Sequence, residues 1–329
     1  MQMSLPMWRP GAAPSRRAAL NRRAEPGVWL QREQAIMGTS VGVELWAEQR
    51  AAGEAAIDAV MAEMHRIDDA YSPHKADSEL SRLNRDAASR PVHVSAELFA
   101  LLQRAADFSR LSGGAFDITY AAVGRLFDYR RGIRPDEAAL ARARTCVGWK
   151  QVLLDPDTQS VRFAREGVCI DLGGFAKGHA VERAADILRR RGIAHAYVSA
   201  GGDSRVLGDR RGRPWSVAVR HPRQPGQAVA VLPLQDVAVS TSGNYERYFE
   251  RGGVRHHHLL DPATGHSPDH VHSVTILAPD GLTSEALSKT VFVLGAARGL
   301  ALLETVPDVD AVVVDADGRL HYSSGLQRH

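Results

Sequence analysis

The chain has 329 residues, of which 44% are hydrophobic and 24% charged, enough for one or two domains at roughly 150 residues each. That composition excludes a largely disordered chain, a collagen-like repeat and a coiled coil. Forty-one basic against 38 acidic residues leave a net charge of +3, too small an excess for a nucleic-acid binder, and two cysteines exclude a disulfide scaffold or a cysteine-rich metal centre.

Residues 1–30 carry Arg9, Arg16, Arg17, Arg22 and Arg23, separated by Pro6, Pro10, Pro14 and Pro26. No apolar run of a secretory signal follows these arginines, so the segment reads as a polar, basic arm and residues 31–329 as a single domain. No stretch approaches the roughly 20 apolar residues of a membrane span, and a cytoplasmic protein is the expectation.

The alternation in "SVGVELW" predicts a half-buried strand at Ser40–Trp46. Ile57, Val60, Met61, Met64 and Ile67 then fall on one face of a helix. Ser95 is a good N-cap for a second helix, with Leu98, Leu101, Leu102, Ala105 and Phe108 inward and Gly113 and Gly114 past its end. Pro135 suits the first turn of a short helix. From residue 151 short strands take over: "QVLLD", "SVRFA" and "VCIDL". A helix through Val181, Ala184, Ile187 and Leu188 stops before Gly192. The strands "AYVSA", "WSVAV", "AVAVL", "VAVS" and "SVTIL" follow, then a helix through Ala286–Leu294 and the strand "DAVVVD". Helices and strands do not alternate strictly, which predicts an α+β fold with mixed or antiparallel sheets and flanking helices.

Four glycine-bearing segments join glycine to Asp, Ser, Thr or Lys: "SGGAFDIT", "DLGGFAKG", "SAGGD" and "STSGNY". Each alone reads as a tight turn. Together they read as corners whose N–H groups cradle an anion, with Lys177 beside a helix start. None fits a dinucleotide-binding GxGxxG or a Walker loop. Only four of the 41 basic residues are lysine: Lys75, Lys150, Lys177 and Lys289. His258 opens "HLLDPATG" inside a histidine-rich stretch that lacks regular metal-ligand spacing. It is a strand-end histidine, or a group that binds an anion or moves a proton. Glu285 and Lys289 share a helix face at i and i+4, as a surface ion pair or as part of a phosphate and cation site.

In order, "MGT" at Met37, "DSELSRLN", "GGAFDIT", "DLGGFAKG", "GGD", "TSGNY" and "HLLDPATG" resemble the motifs of the ApbE family of FAD:protein FMN transferases. The resemblance runs from Met37 to about Gly295 and implies an α+β flavin-binding fold. It implies that FAD and Mg²⁺ are bound and that FMN passes to a Thr or Ser hydroxyl of an acceptor flavoprotein, releasing AMP. By motif position Met37, Thr39, Phe116, Asp117, Thr119, Asp171, Lys177, Asp261 and Thr264 match FAD-binding residues. Ala176 matches a carbonyl ligand of the metal, and His258 a residue linked to activity. His74 stands where many members carry a flavin-stacking Tyr, a role Tyr71 could take instead. Glu285 stands for a metal-binding Asp, as metal ligand or proton acceptor, and Lys289 for a metal-binding Thr. An ammonium cannot ligate a metal, and two like charges about 4 Å apart cost roughly 4 kcal/mol at an effective dielectric of about 20. Metal-independent FAD binding without turnover, and FAD hydrolysis to FMN and AMP, are the competing readings.

Overall fold

The computed structural model describes residues 27–224 and 226–327, so the arm read over 1–30 lies, up to residue 26, outside the described residues. In chain order the elements are β1 (Val28–Ile36), β2 (Thr39–Ala47), α1 (Arg50–Tyr71), α2 (Glu79–Asp86), β3 (Val92–His93) and α3 (Ala96–Leu111). Next come α4 (Ala121–Gly124), α5 (Glu137–Arg144), β4 (Val152–Asp155), β5 (Ser160–Phe163) and α6 (Ala176–Arg190). Then follow β6 (Ala196–Ala200), β7 (Asp203–Leu207), β8 (Trp215–Arg220), β9 (Ala228–Leu234), β10 (Ala238–Gly243), β11 (Tyr248–Arg251) and β12 (Val254–His257). The chain closes with β13 (Val271–Ala278), α7 (Gly281–Leu303), β14 (Asp310–Asp315), β15 (Leu320–Tyr322) and α8 (Ser324–Gln327).

Eight strands form one antiparallel sheet in the order β1-β2-β6-β7-β10-β13-β14-β15. Helices α1, α6 and α7 cover one face: α1 lies on β1 and β2, α6 on β6 and β7, and α7 on β10, β13 and β14. The predicted stripe of α1 is buried as expected, with Ile57, Val60, Met61, Met64 and Ile67 all in the main core. On the opposite face Trp215 and Leu234 of the β8–β9 hairpin meet Val206, Val239 and Leu277. The α+β architecture inferred from the sequence is the one observed.

Local chemistry accounts for most boundaries and for two corrections. Ser95 caps α3, its hydroxyl accepting from the Leu98 N–H at 3.2 Å. Pro135 sits outside the first turn of α5, because Asp136 is the N-cap and accepts from the Ala139 N–H at 2.6 Å. "VCIDL" is not a strand. The Asn84 side chain accepts from the Ile170 N–H at 2.9 Å and donates to its carbonyl at 2.8 Å, and the Asp171 N–H goes to Ile118 O, so no strand partner is needed. Strand β7 escapes the alternation rule because all five of its residues are buried, Asp203, Ser204 and Arg205 included. Helix α7 is the one element among the described residues long and apolar enough to cross a membrane by length and composition. It is packed on the sheet and on α6 and kinks at Gly295, where φ is 80°.

Candidate active site

The β1–β2 hairpin turns through Met37 and Gly38, both in the left-handed region at φ 53° and 68°. A two-residue turn that matches strand twist demands this conformation, and a methionine there costs energy that glycine or asparagine would not. The turn projects to the edge of a cleft of about 2240 Å³. Met37, Thr39, His74, Phe116, Asp117, Asp171, Ala176, Lys177, His258 and Lys289 all line it. Residues far apart in sequence thus converge on one space, as the glycine corners suggested.

Some expected residues stand behind the wall and not on it. Thr119 is fully buried and its hydroxyl donates to Asp117 Oδ1 at 2.6 Å while accepting from the Gly148 N–H at 2.7 Å. Asp117 accepts from the Trp149 N–H as well, at 2.6 Å, so the pair clamps the loop before β4. Burial raises the Asp117 pKa against these hydrogen bonds. Asp261 accepts from the Ala263 N–H at 2.9 Å and from the Thr264 hydroxyl at 3.1 Å. "DPATG" is therefore a self-bonded Asx turn, and neither Asp261 nor Thr264 reaches the cleft. Their hydrogen bonds hold the turn that follows His258. His74 lies in the exposed turn after α1 and faces the cleft, where Tyr71 also contributes, though its ring is buried against that of His179 at 6.3 Å.

A group of four charges underlies the cleft: Lys177, Asp203 and Lys289 line it, and Glu285 is closed off behind them. Lys177 Nζ binds Asp203 Oδ2 at 2.9 Å and Gly173 O at 3.1 Å, and pairs with Glu285 Oε1. Lys289 Nζ approaches the same Glu285 oxygen at 3.3 Å. Glu285 Oε2 accepts from the Gly178 N–H at 2.7 Å. Helix α6 has no side-chain cap of its own at Phe175. The Glu285 carboxylate supplies one from α7, where the helix dipole favours negative charge. Ser240 donates to Asp203 Oδ1 at 2.5 Å and contacts the Ser288 hydroxyl at 3.0 Å. Burial opposes charge on Lys177, yet the Asp203 and Glu285 carboxylates outweigh it and hold the ammonium above its usual range. Burial likewise works against an ionised Asp203, and Lys177 and Lys289 keep its pKa below normal. Both sites are therefore charged at neutral pH.

The geometry of α6 and α7 makes this convergence possible. A Cβ on Gly178 would lie 2.1 Å from Gly281 O, and one on Gly281 would lie 2.2 Å from Gly178 O. The helix starts touch backbone to backbone, which only glycine permits.

His258 completes the wall. Burial first, then the nearby charge of His257, Arg247 and Lys289, lowers its pKa to about 3. Its ring is neutral at neutral pH, and Nδ1 is buried with no hydrogen-bond partner in the protein. A neutral imidazole with a free nitrogen can accept a proton; it cannot hold an anion by charge.

The donor set suits a divalent ion poorly. Among the described residues no three His, Cys, Asp or Glu side chains gather in a metal-binding group. Glu285 meets α6 at Lys177 and Gly178, just after Ala176, but it is fully buried and both its oxygens already have partners, two of them ammonium groups. A hard cation needs free carboxylate oxygens. Asp203 is the participant that the sequence reading left unassigned. "GGD" marked it, but its pairing with a lysine 26 positions away appears only in the fold.

A family model described as the ApbE family matches residues 37–313. An FAD:protein FMN transferase of Treponema pallidum is 36% identical over 90% of this chain and 87% of its own length. One from Klebsiella pneumoniae is 32% identical over 88% of this chain and 90% of its own. The crystal structure of the ApbE protein from Thermotoga maritima superposes with a TM-score of 0.85 at 32% identity, covering 92% of this chain and 99% of that one. The flavin transferase ApbE from Vibrio cholerae gives 0.82 at 26% identity, over 92% of this chain and 99% of its own.

Proposed function

The chain belongs to the ApbE family, and on that premise we propose how it acts as an FAD:protein FMN transferase on a Thr or Ser hydroxyl of an acceptor flavoprotein. The observation that carries the mechanism is the convergence of Lys177, Lys289 and a neutral His258 on one cleft. Ordinary small-ligand pockets hold about 300–1,000 Å³. A cleft of about 2240 Å³ has room for a dinucleotide and for the segment of an acceptor.

The chemistry is a displacement at the FMN phosphorus. The acceptor hydroxyl oxygen forms a bond to that phosphorus, the bridging P–O bond breaks, and its electron pair leaves with AMP. The hydroxyl proton goes to His258. The negative charge of a bound pyrophosphate raises the proton affinity of this ring from its value in the empty cleft. Lys177 and Lys289 face the pyrophosphate with positive charge that needs no reorganisation at the moment of reaction. Glu285, with partners on both of its oxygens, orients these lysines and caps α6. It is poorly suited to take the proton itself. Met37, Thr39, Phe116 and Asp171 fit the role of shaping the FAD pocket, and His74 or Tyr71 that of meeting the flavin ring.

Magnesium is the part of the expected chemistry that this donor set supports least, because both Glu285 oxygens already have partners. The activities borne by the relatives favour transfer over FAD storage. Incubated with FAD and a Thr- or Ser-bearing acceptor domain, the purified chain is expected to release AMP and to leave flavin fluorescence on the denatured acceptor. Folded, FAD-loaded protein that yields no AMP above background rejects the reading.

A further inference from the structure

We infer that the Lys289 ammonium occupies the cation position of this site, so that FAD is held and its FMN half transferred without a divalent metal. The inference rests on the transferase reading for its catalytic half only. Its structural half comes from the partners of Glu285.

A carboxylate offers about four lone-pair sites. Glu285 uses three of them on Lys177, Lys289 and the Gly178 N–H, and its side chain is closed to solvent. An incoming ion must either displace an ammonium or sit beside two of them. Displacement is disfavoured on both sides. Lys177 is tied to Asp203 and Gly173 as well as to Glu285. Lys289 leaves only 17% of its side chain exposed. The glycine loop lies along its stem: a Cβ on Gly174 would be in ordinary van der Waals contact with Lys289 Cε at 3.6 Å and Cγ at 3.7 Å. The glutamate also has a task incompatible with turning toward an ion, because its second oxygen caps α6. One methylene more than aspartate lets it span from α7 to that N–H. The longer acid and the lysine one turn on thus form a coherent pair: the acid fixes the helix start and presents the ammonium, and the ammonium lines the cleft where the pyrophosphate is expected.

The test counts metal directly. Full-length protein loaded with FAD is titrated with Mn²⁺, a hard oxygen-seeking ion, and free Mn²⁺ is followed by its EPR signal. The expected result is no stoichiometric uptake by the wild type beyond that of free FAD. The paired change Lys289→Thr with Glu285→Asp is expected to bind Mn²⁺ at least about tenfold more tightly, which is 1.4 kcal/mol. In parallel, AMP release by the wild type is compared in EDTA and in Mg²⁺. A change within about twofold, well under the tenfold of 1.4 kcal/mol, is expected. One Mn²⁺ bound per FAD-loaded wild-type chain overturns the inference even if the double variant does not fold. So does AMP release that vanishes in EDTA. AMP absent under every condition defeats the transferase reading instead, and the Mn²⁺ count still decides whether the ammonium excludes the ion.

Discussion

Two ion networks flank helix α6, and they behave differently. At its start Lys177, Lys289 and Asp203 line the cleft with Glu285 behind them, and the two acids are closed to solvent. Farther along, Arg66 and Arg183 bind Glu63 and Glu97, with His179 against Glu97 at 2.8 Å, and none of these five lines the cleft. The outer network uses arginine, whose planar fork holds two acids at once, and Arg66 remains 45% exposed. The inner one uses two of the four lysines in the entire chain. A lysine is a compact point charge that a phosphate can share with a carboxylate, so the rare residue type stands where a ligand is expected. The other two lysines serve bland purposes: Lys75 pairs with Asp68 and Asp69 on the surface, and Lys150 lies over the Trp149 ring. The difference teaches that burial and composition together set a charge cluster facing the cleft apart from one that braces the surface.

That contrast is broken most directly at Lys177. Lys177→Ala leaves Asp203 and Glu285 buried with one counter-charge fewer, and removing one partner of a buried pair costs about 3–5 kcal/mol. Denaturant melts are expected to show the loss, and FAD binding to disappear with it; an unchanged midpoint would make the inner network as dispensable as a surface one. His258→Asn should leave FAD affinity nearly intact while lowering kcat for AMP release by about 10²–10⁴, the range for a lost general base. Equal loss of binding and turnover would assign the ring a merely structural part.

Acid sharpens the comparison through the same histidine wall. His258 and His257 have pKa values pushed down by burial to about 3 and about 4, against 6.5 when unfolded. The unfolded chain binds more protons between these values, so stability is full above about pH 6.5 and falls as the pH drops toward 3–4. Melting temperature measured across that window should decline less steeply in His257→Asn or His258→Asn. The smallest effect is expected at the outer network. Arg66→Ala should cost about 1 kcal/mol or less, as exposed pairs do, with no change in FAD affinity by fluorescence titration. A large loss of FAD there would erase the distinction between the two networks.

What could be read in advance follows the range of the interactions. Helices α1 and α3 were legible because periodicity and a Ser95 cap are local signals. Helix α2 went unread as a helix although Ser78 caps it, accepting from the Ser81 N–H at 2.9 Å, because its eight residues hold only two buried leucines. Strand β1 was hidden by its polar residues on the open face, and β7 by having no open face at all. "VCIDL" imitated a strand because its backbone partner is a side chain from α2. At the site, the i,i+4 spacing of Glu285 and Lys289 was visible, and so were the glycine corners. Lys177 meeting Glu285 across 108 positions was not, nor was the burial that neutralises His258. Asp261 and Thr264 bond to each other within their own turn and stand off the cleft lining, a placement the motif alone does not show, because a turn motif and a binding motif draw on the same residue types.

The contact of Gly178 with Gly281 has a consequence for how this site tolerates change. The gap between Lys177 on one helix and Glu285 with Lys289 on the other is set where main chain rests on main chain, with the Val181 side chain close beside the contact. A methyl group added at this pivot would open the two rods like a hinge and pull Lys177 away from Glu285 and Lys289, although each ionic group stayed chemically intact.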